Sequence, residues 1–209
     1  MRLIGLAVLL SNCLFPGFLA AAEFGDIELS GYALGSWPKD QDVFNQGTMV
    51  PASIQQGFGG GLKAGLYPHA FHRIVGLELD SNAHGGALSF PNISNGQNRG
   101  TGRSNLLVLN TMFNLILRYP GDKIRPYVGV GVGWSHGTLL NPNIAGRADQ
   151  DFDSARSLGH QVLGGVQLSI TPKVFLFGEY RYFSANYHWD ALALDFRTHY
   201  GLVGAGLRF

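Results

Sequence analysis

Cysteine is nearly absent: the 209 residues hold one, Cys13. A single thiol excludes an intrachain disulfide framework and a cysteine-based zinc knuckle. Charge is scarce as well. Only 14% of residues are Asp, Glu, Lys or Arg, and the 15 bases nearly cancel the 14 acids. That balance leaves no basic footprint for nucleic acid. Past the amino-terminal stretch, no segment reaches the roughly 18 continuous apolar positions of a membrane-spanning helix. No Gly-rich segment sits between a strand and a helix to cradle phosphate, and no His/Cys spacing suits zinc, so no cofactor is expected.

The one apolar run, residues 3–15, follows Met1-Arg2 and leads to Ala20-Ala21-Ala22. A basic start, an apolar middle and a small-residue end make a secretory signal peptide. Asn12 and Pro16 interrupt the run, which argues against a membrane anchor helix. Residues 1–22 are therefore expected to be a cleaved leader and 23–209 the mature domain. Cys13 and Arg2 leave with the leader.

What the chain has in quantity is glycine, 30 residues, and alternation. Residues 74–84 show it best: Val75, Leu77, Leu79 and Ala83 oppose Gly76, Glu78, Asp80, Asn82 and His84. A period of two places the two sets on opposite faces of a strand. The same pattern predicts strands over 27–37, 56–67, 104–119, 125–136, 157–170, 173–184 and 197–209, eight in all. Three connections are tight, 68–73, 120–124 and 171–172. Four are long and polar, 38–54, 85–103, 137–156 and 185–196. An even strand count with short turns at one end and long loops at the other fits an eight-stranded antiparallel up-and-down transmembrane β-barrel. Lipid cannot hydrogen-bond a free strand edge, so such a sheet must close.

The charges fall on the non-apolar faces: Glu28, Lys63, Glu78, Asp80, Arg118, Glu179, Arg181 and Arg208. With the apolar face turned to lipid they share the barrel interior, where they are expected to pair as one network. The last strand carries Val203, Ala205 and Leu207 outward and ends on the aromatic Phe209, the pattern of a closing strand and assembly signal. Tyr67, Tyr119 and Phe209 at the short-turn end, with Trp37 and Trp134 at the other, are expected as two aromatic girdles.

The segments 126–133 (PYVGVGVG) and 178–182 (GEYRY), with the Gly-rich final strand, resemble the small OmpA/OmpX-like outer-membrane barrels. The resemblance covers nearly the whole mature chain. It implies a monomer in the bacterial outer membrane, in contact with outer-membrane lipid and lipopolysaccharide and handled by the barrel assembly machinery. No peptidoglycan-binding domain is expected beyond Phe209. Residues 107–133 also resemble proteins grouped with lipid A oxidases. These families hold adhesins, structural proteins and enzymes, so the resemblance implies a fold rather than a reaction.

Three constellations are candidates for chemistry. Asp80 and His84, with Glu78, line one face and suit either acid–base work or charge neutralisation inside a barrel. His136 and His160 fall on lipid-facing positions near the long-loop end, where they suit contact with head-group phosphates or general-base chemistry on a lipid, with Thr138 beside His136. Asp149, Asp151 and Asp153 have the opening spacing of a calcium loop, but Ser154 and His160 stand where Gly and Glu are needed, so no metal site is assigned. The expected role is structural or surface interaction through the four loops. The alternative is a lipid A–modifying enzyme of oxidase or deacylase type, and a small pore ranks third because eight strands leave an interior that side chains can fill.

Overall fold

The computed structural model describes residues 24–39, 41–45, 48–95, 98–143, 152–189 and 192–209. The expected leader lies outside these residues. So do Asp149 and Asp151 and the side chain of Asp153. The strands are β1 (Gly25–Pro38), β2 (Gln41–Asn45), β3 (Thr48–Ile54), β4 (Gly57–Pro68), β5 (Val75–Asn95), β6 (Asn98–Arg118), β7 (Ile124–Asn143), β8 (Phe152–Ser169), β9 (Val174–Trp189) and β10 (Leu192–Arg208). Eight of them, β1 and β4 to β10, pair antiparallel with their sequence neighbours, and β10 returns to β1. The sheet is closed.

Its stagger can be read from the pairings. A row of opposed residues starts at Trp37 and passes through His199, Tyr182, Val162, Val130, Leu115, Leu77 and Leu66. It comes back to β1 at Ile27, so position 37 meets position 27 after one circuit. Every residue on that row faces outward. Such a stagger requires strands tilted against the barrel axis, which is what closes eight of them around a side-chain-filled interior.

The four long connections differ from the polar loops expected. The β5–β6 ladder continues to Asn95 opposite Asn98, with one irregularity between Phe90 and Ile93. The β7–β8 ladder reaches Leu140 opposite Phe152, and β9–β10 reaches Trp189 opposite Leu192. With 21 residues in each of β5 and β6, and about 9 to 11 needed to cross a bilayer when tilted, roughly half of each stands clear of the membrane. Alternation concealed this because a strand outside lipid needs no apolar face. Over the first connection β2 and β3 form a hairpin, with β2 against β10 and β3 against β5. There they replace β1 and β4 in the wall, so the cylinder persists beyond the membrane.

The interior has two tiers. Toward the short turns it is polar and charged, with Ile116, Leu163, Phe175 and Phe177 packed among the polar groups. Toward the long hairpins it is apolar, closed by Leu34, Leu106, Val108, Leu139, Phe183, Leu194, Phe196 and Leu202, all buried. The polar filling expected throughout therefore holds for one part of its length. Runs such as Leu106-Leu107-Val108-Leu109 are apolar on both faces, and alternation carries no sign of an apolar interior there. Tyr67 also departs from expectation. It is 5% exposed while Tyr119 is 66% and Phe209 is 55% exposed, so it belongs to the interior and not to a girdle. The Arg118 guanidinium lies 3.5 Å from its ring centroid.

Candidate functional site

The odd inward positions of β4 and β9 and the even ones of β1, β5, β6 and β10 aim their charges at one axis. At the short-turn end Glu28 accepts from Arg118 Nη1 at 2.8 Å and from Arg208 Nε at 2.9 Å, and its second oxygen accepts from Gln167 at 3.0 Å. In the middle Lys63 Nζ donates to Glu179 Oε2 at 2.5 Å and lies 3.5 Å from Glu78. Arg181 is fully enclosed. It donates through Nε to Glu179 and through Nη2 to Asp80 at 2.6 Å. All eight charged residues singled out by alternation thus meet inside the barrel.

The network has members that charge alone did not flag. Tyr32 donates to Asp80 at 2.8 Å and Tyr127 to Glu179 at 2.7 Å. Asn114 donates to Glu78 at 2.9 Å and accepts from Gln161 at 2.7 Å. Asp26, inward at the short-turn end, meets Arg73 Nε at 3.1 Å. Alternation puts Tyr32, Asn114, Tyr127 and Gln161 on inward positions, but as neutral residues they gave no reason to look; Asp26 precedes the strand predicted over 27–37, and its partner Arg73 lies in a turn. The space left among them is a cavity of about 20 Å³ lined by Glu28, Lys63, Glu78, Arg118, Tyr127 and Gln167, among others. That is room for about one water molecule.

Asp80 and His84 are not an open pair. Asp80 is committed to Arg181, Tyr32 and Asn82. His84 Nε2 and the Tyr200 hydroxyl share a hydrogen bond of 2.8 Å, and the imidazole stacks on Phe196 with 6.3 Å between ring centroids. Expected to be reachable from the barrel mouth, His84 instead lies 4% exposed within the apolar tier.

His136 and His160 face outward, as parity predicts, and they do not meet. His136 is opposite Arg156 and His160 is opposite Val132, four positions further along the β7–β8 ladder. At about 3.3 Å per residue that is roughly 13 Å. Arg156 puts a cation across from His136 where a catalytic triad needs a carboxylate. Around His160 the outward positions are Leu158, Val162, Tyr182, Ser184 and Asn186, none of them acidic. Among the described residues no group of three His, Cys, Asp or Glu side chains converges in the manner of a metal site.

A second cluster, not singled out by sequence, lies on the outer wall where the chain closes. Tyr182, His199 and Trp37 are opposed across β9, β10 and β1. Tyr180 Oη and His199 Nδ1 share a hydrogen bond of 2.5 Å, and Lys39 Nζ sits 5.9 Å from the Tyr182 ring centroid. Its members come from the β9–β10 hairpin and from β1 at the other end of the chain, so only the closing register assembles it.

Residues 7–209 match the profile of the outer membrane protein beta-barrel domain. Two opacity proteins of Neisseria gonorrhoeae, opA50 and opA68, are each 30% identical over 112 and 114 residues, 42% of this chain and 46% of theirs. The chain thus spans about half the length of these curated relatives. Among solved structures, Neisserial surface protein A has a TM-score of 0.58 at 15% identity, covering 88% of this chain and 99% of that one. OprG of Pseudomonas aeruginosa has a TM-score of 0.58 at 14% identity, covering 89% and 96%. At such identities the likeness is one of fold.

Proposed function

The chain belongs to the outer membrane protein β-barrel family and is an integral outer-membrane protein; from that premise we propose that it is a non-conducting barrel whose work is surface interaction through its projecting hairpins. The observation that carries this is the apolar tier. Phe183, Phe196, Leu139 and Val108 are wholly buried across the lumen at the hairpin end. Water and small solutes have no path there, while the wall around that closure continues outward as paired strands. A barrel closed to passage and extended toward the outside presents a surface. Its partners on this reading are the surrounding outer-membrane lipid and lipopolysaccharide, with the barrel assembly machinery during insertion, and it acts as a monomer. Export depends on the leader at 1–22.

The test is to shorten the β5–β6 hairpin by removing residues 90–102 and to compare cells displaying either form at equal folded yield. Cell-to-cell aggregation and adhesion to protein-coated surfaces should fall with the shortened form. Unchanged adhesion with this and the β7–β8 hairpin shortened would overturn the reading. Mass spectrometry of lipid A from cells with and without the protein addresses the enzymatic alternative: an altered lipid A would favour it.

A further inference from the structure

We propose that the outer wall of β9, β10 and β1 holds one phosphorylated glycolipid of the outer leaflet, its phosphate on Lys39 and Arg197 and its sugar on Trp37, Tyr180 and Tyr182. The inference rests on the outer-membrane placement and names a site on the barrel's own surface.

Register builds the site in rows. Arg197 faces outward on β10, and its carbonyl accepts from the Lys39 amide at 3.0 Å, so the two cations flank one rung of the seam. The next outward row holds Tyr182, His199 and Trp37. The row after it holds Tyr180, Gly201 and Gly35. Cations, then aromatic rings, then the apolar wall below them is the order in which a phosphorylated glycolipid presents phosphate, sugar and acyl chains.

The rings are held in place. His199 is fixed between Tyr180, with ring centroids 5.8 Å apart, and Tyr182, at 5.3 Å. Trp37 lies across two glycines: a Cβ at Gly35 would stand 2.8 Å from the indole, and one at Gly201 would stand 3.0 Å from it. Laid flat, the indole presents a face on which a sugar ring can stack. Beyond Ala33 the wall deepens into a groove of about 690 Å³ lined by Leu29, Gly31, Leu62, Ala64, Ala205 and Leu207, among others. From Gly35 to Leu29 is about 20 Å along the strand, or roughly 14 Å of depth at the usual tilt, close to half of the ~30 Å hydrocarbon core.

Charge argues for a discrete site rather than a belt. Lys39 and Arg197 are exposed on the outward side, and cations there belong at the polar boundary, the level at which anionic head groups lie. Asp195, two positions further toward the hairpin tip, is the one acidic residue on the outward face of β10 among the described residues. At the matching end of β4, β5 and β6 the outward side chains among the described residues include Phe58, Ala83, Leu107 and Leu109, all uncharged. Arg156, an outward cation on β8, stands apart from the seam and serves as an internal control.

The experiment is native mass spectrometry of the full chain released from nanodiscs, counting retained lipid. The probes are bis-phosphorylated lipid A, dephosphorylated lipid A and phosphatidylglycerol. The folded chain should retain one bis-phosphorylated lipid A in preference to the other two. The double variant Lys39→Gln/Arg197→Gln should weaken retention about tenfold or more, the scale of two cations at an anionic lipid surface, while Arg156→Gln leaves it unchanged. Gly201→Val, which displaces the Trp37 indole, should weaken it with both cations intact. Should the double variant fold poorly by heat-modifiability, Lys39→Arg/Arg197→Lys, keeping the charges, and single Lys39→Gln give the same comparison. Equal retention by the neutralised and native chains, or equal retention of phosphatidylglycerol and lipid A, would overturn the site. None of these readouts involves adhesion, so the surface-interaction reading stands or falls separately.

Discussion

Arg181 has no water to turn to. It is 1% exposed and its guanidinium reaches two carboxylates, Glu179 and Asp80. Removing one member of such a set leaves a charge stranded in a low-dielectric interior, at a cost of about 3 to 5 kcal/mol. Glu179→Ala and Arg181→Ala should each lower the unfolding free energy from lipid vesicles, read from urea titrations, by that order. If both leave it unchanged, those side chains face bulk water and the lumen is open. A second expectation is steric. A Cβ at Gly76 would stand 2.3 Å from the Tyr67 ring, which is itself packed beneath Arg118. Gly76→Ala should cost about 1 to 3 kcal/mol as an overpacked position. Measured in a double-mutant cycle, it should cost much less in a Tyr67→Ala background. That Tyr67 points inward was legible from parity, because it continues the series Lys63, Gly65; its ring was ambiguous because aromatic residues also suit the membrane boundary. Which carboxylate Arg181 would choose was not legible, since partners 101 residues apart depend on register.

Within the strands, β10 carries the closure. The Phe209 amide donates to the Ile27 carbonyl at 2.9 Å, and the Ile27 amide returns a bond to Phe209 at 3.2 Å. Deleting Phe209 removes that last rung along with an aromatic terminus. The heat-modifiable folded fraction in outer membranes should drop while the amount exported stays the same; an unchanged folded yield would remove the case for the terminal strand as an assembly signal. The strands were legible wherever one face met lipid and the other met polar groups, as in 74–84. Their extensions were not, because pairing such as Asn95 with Asn98 is held by backbone hydrogen bonds, which any residue but proline can make. The β2–β3 hairpin was hidden for the same reason. The cluster at Trp37, Tyr182 and His199 was beyond reach of any local pattern, since β1 and β10 meet only when the ring closes.

For the molecule as a whole, the filled lumen sets the permeability. Reconstituted in planar bilayers, the chain should give no stepwise conductance, because the apolar tier and the ion-paired tier each close the axis. Discrete openings would show that one of the tiers moves.

The seam between the first and last strands also sets a clock. Glu28 on β1 takes its partners from Arg118 and Arg208, 90 and 180 residues further along. Lys63 waits for Glu179, 116 residues away. The β4–β5 hairpin offers Lys63 only Glu78 at 3.5 Å, and Glu28 takes both of its cations from distant strands, so a chain inserted strand by strand would carry Glu28 bare into lipid. Insertion and closure must therefore be nearly one event, reached late and slowly because the contacts that reward it are so distant in sequence. A chain truncated within β10 would stall outside the membrane with its early strands already made.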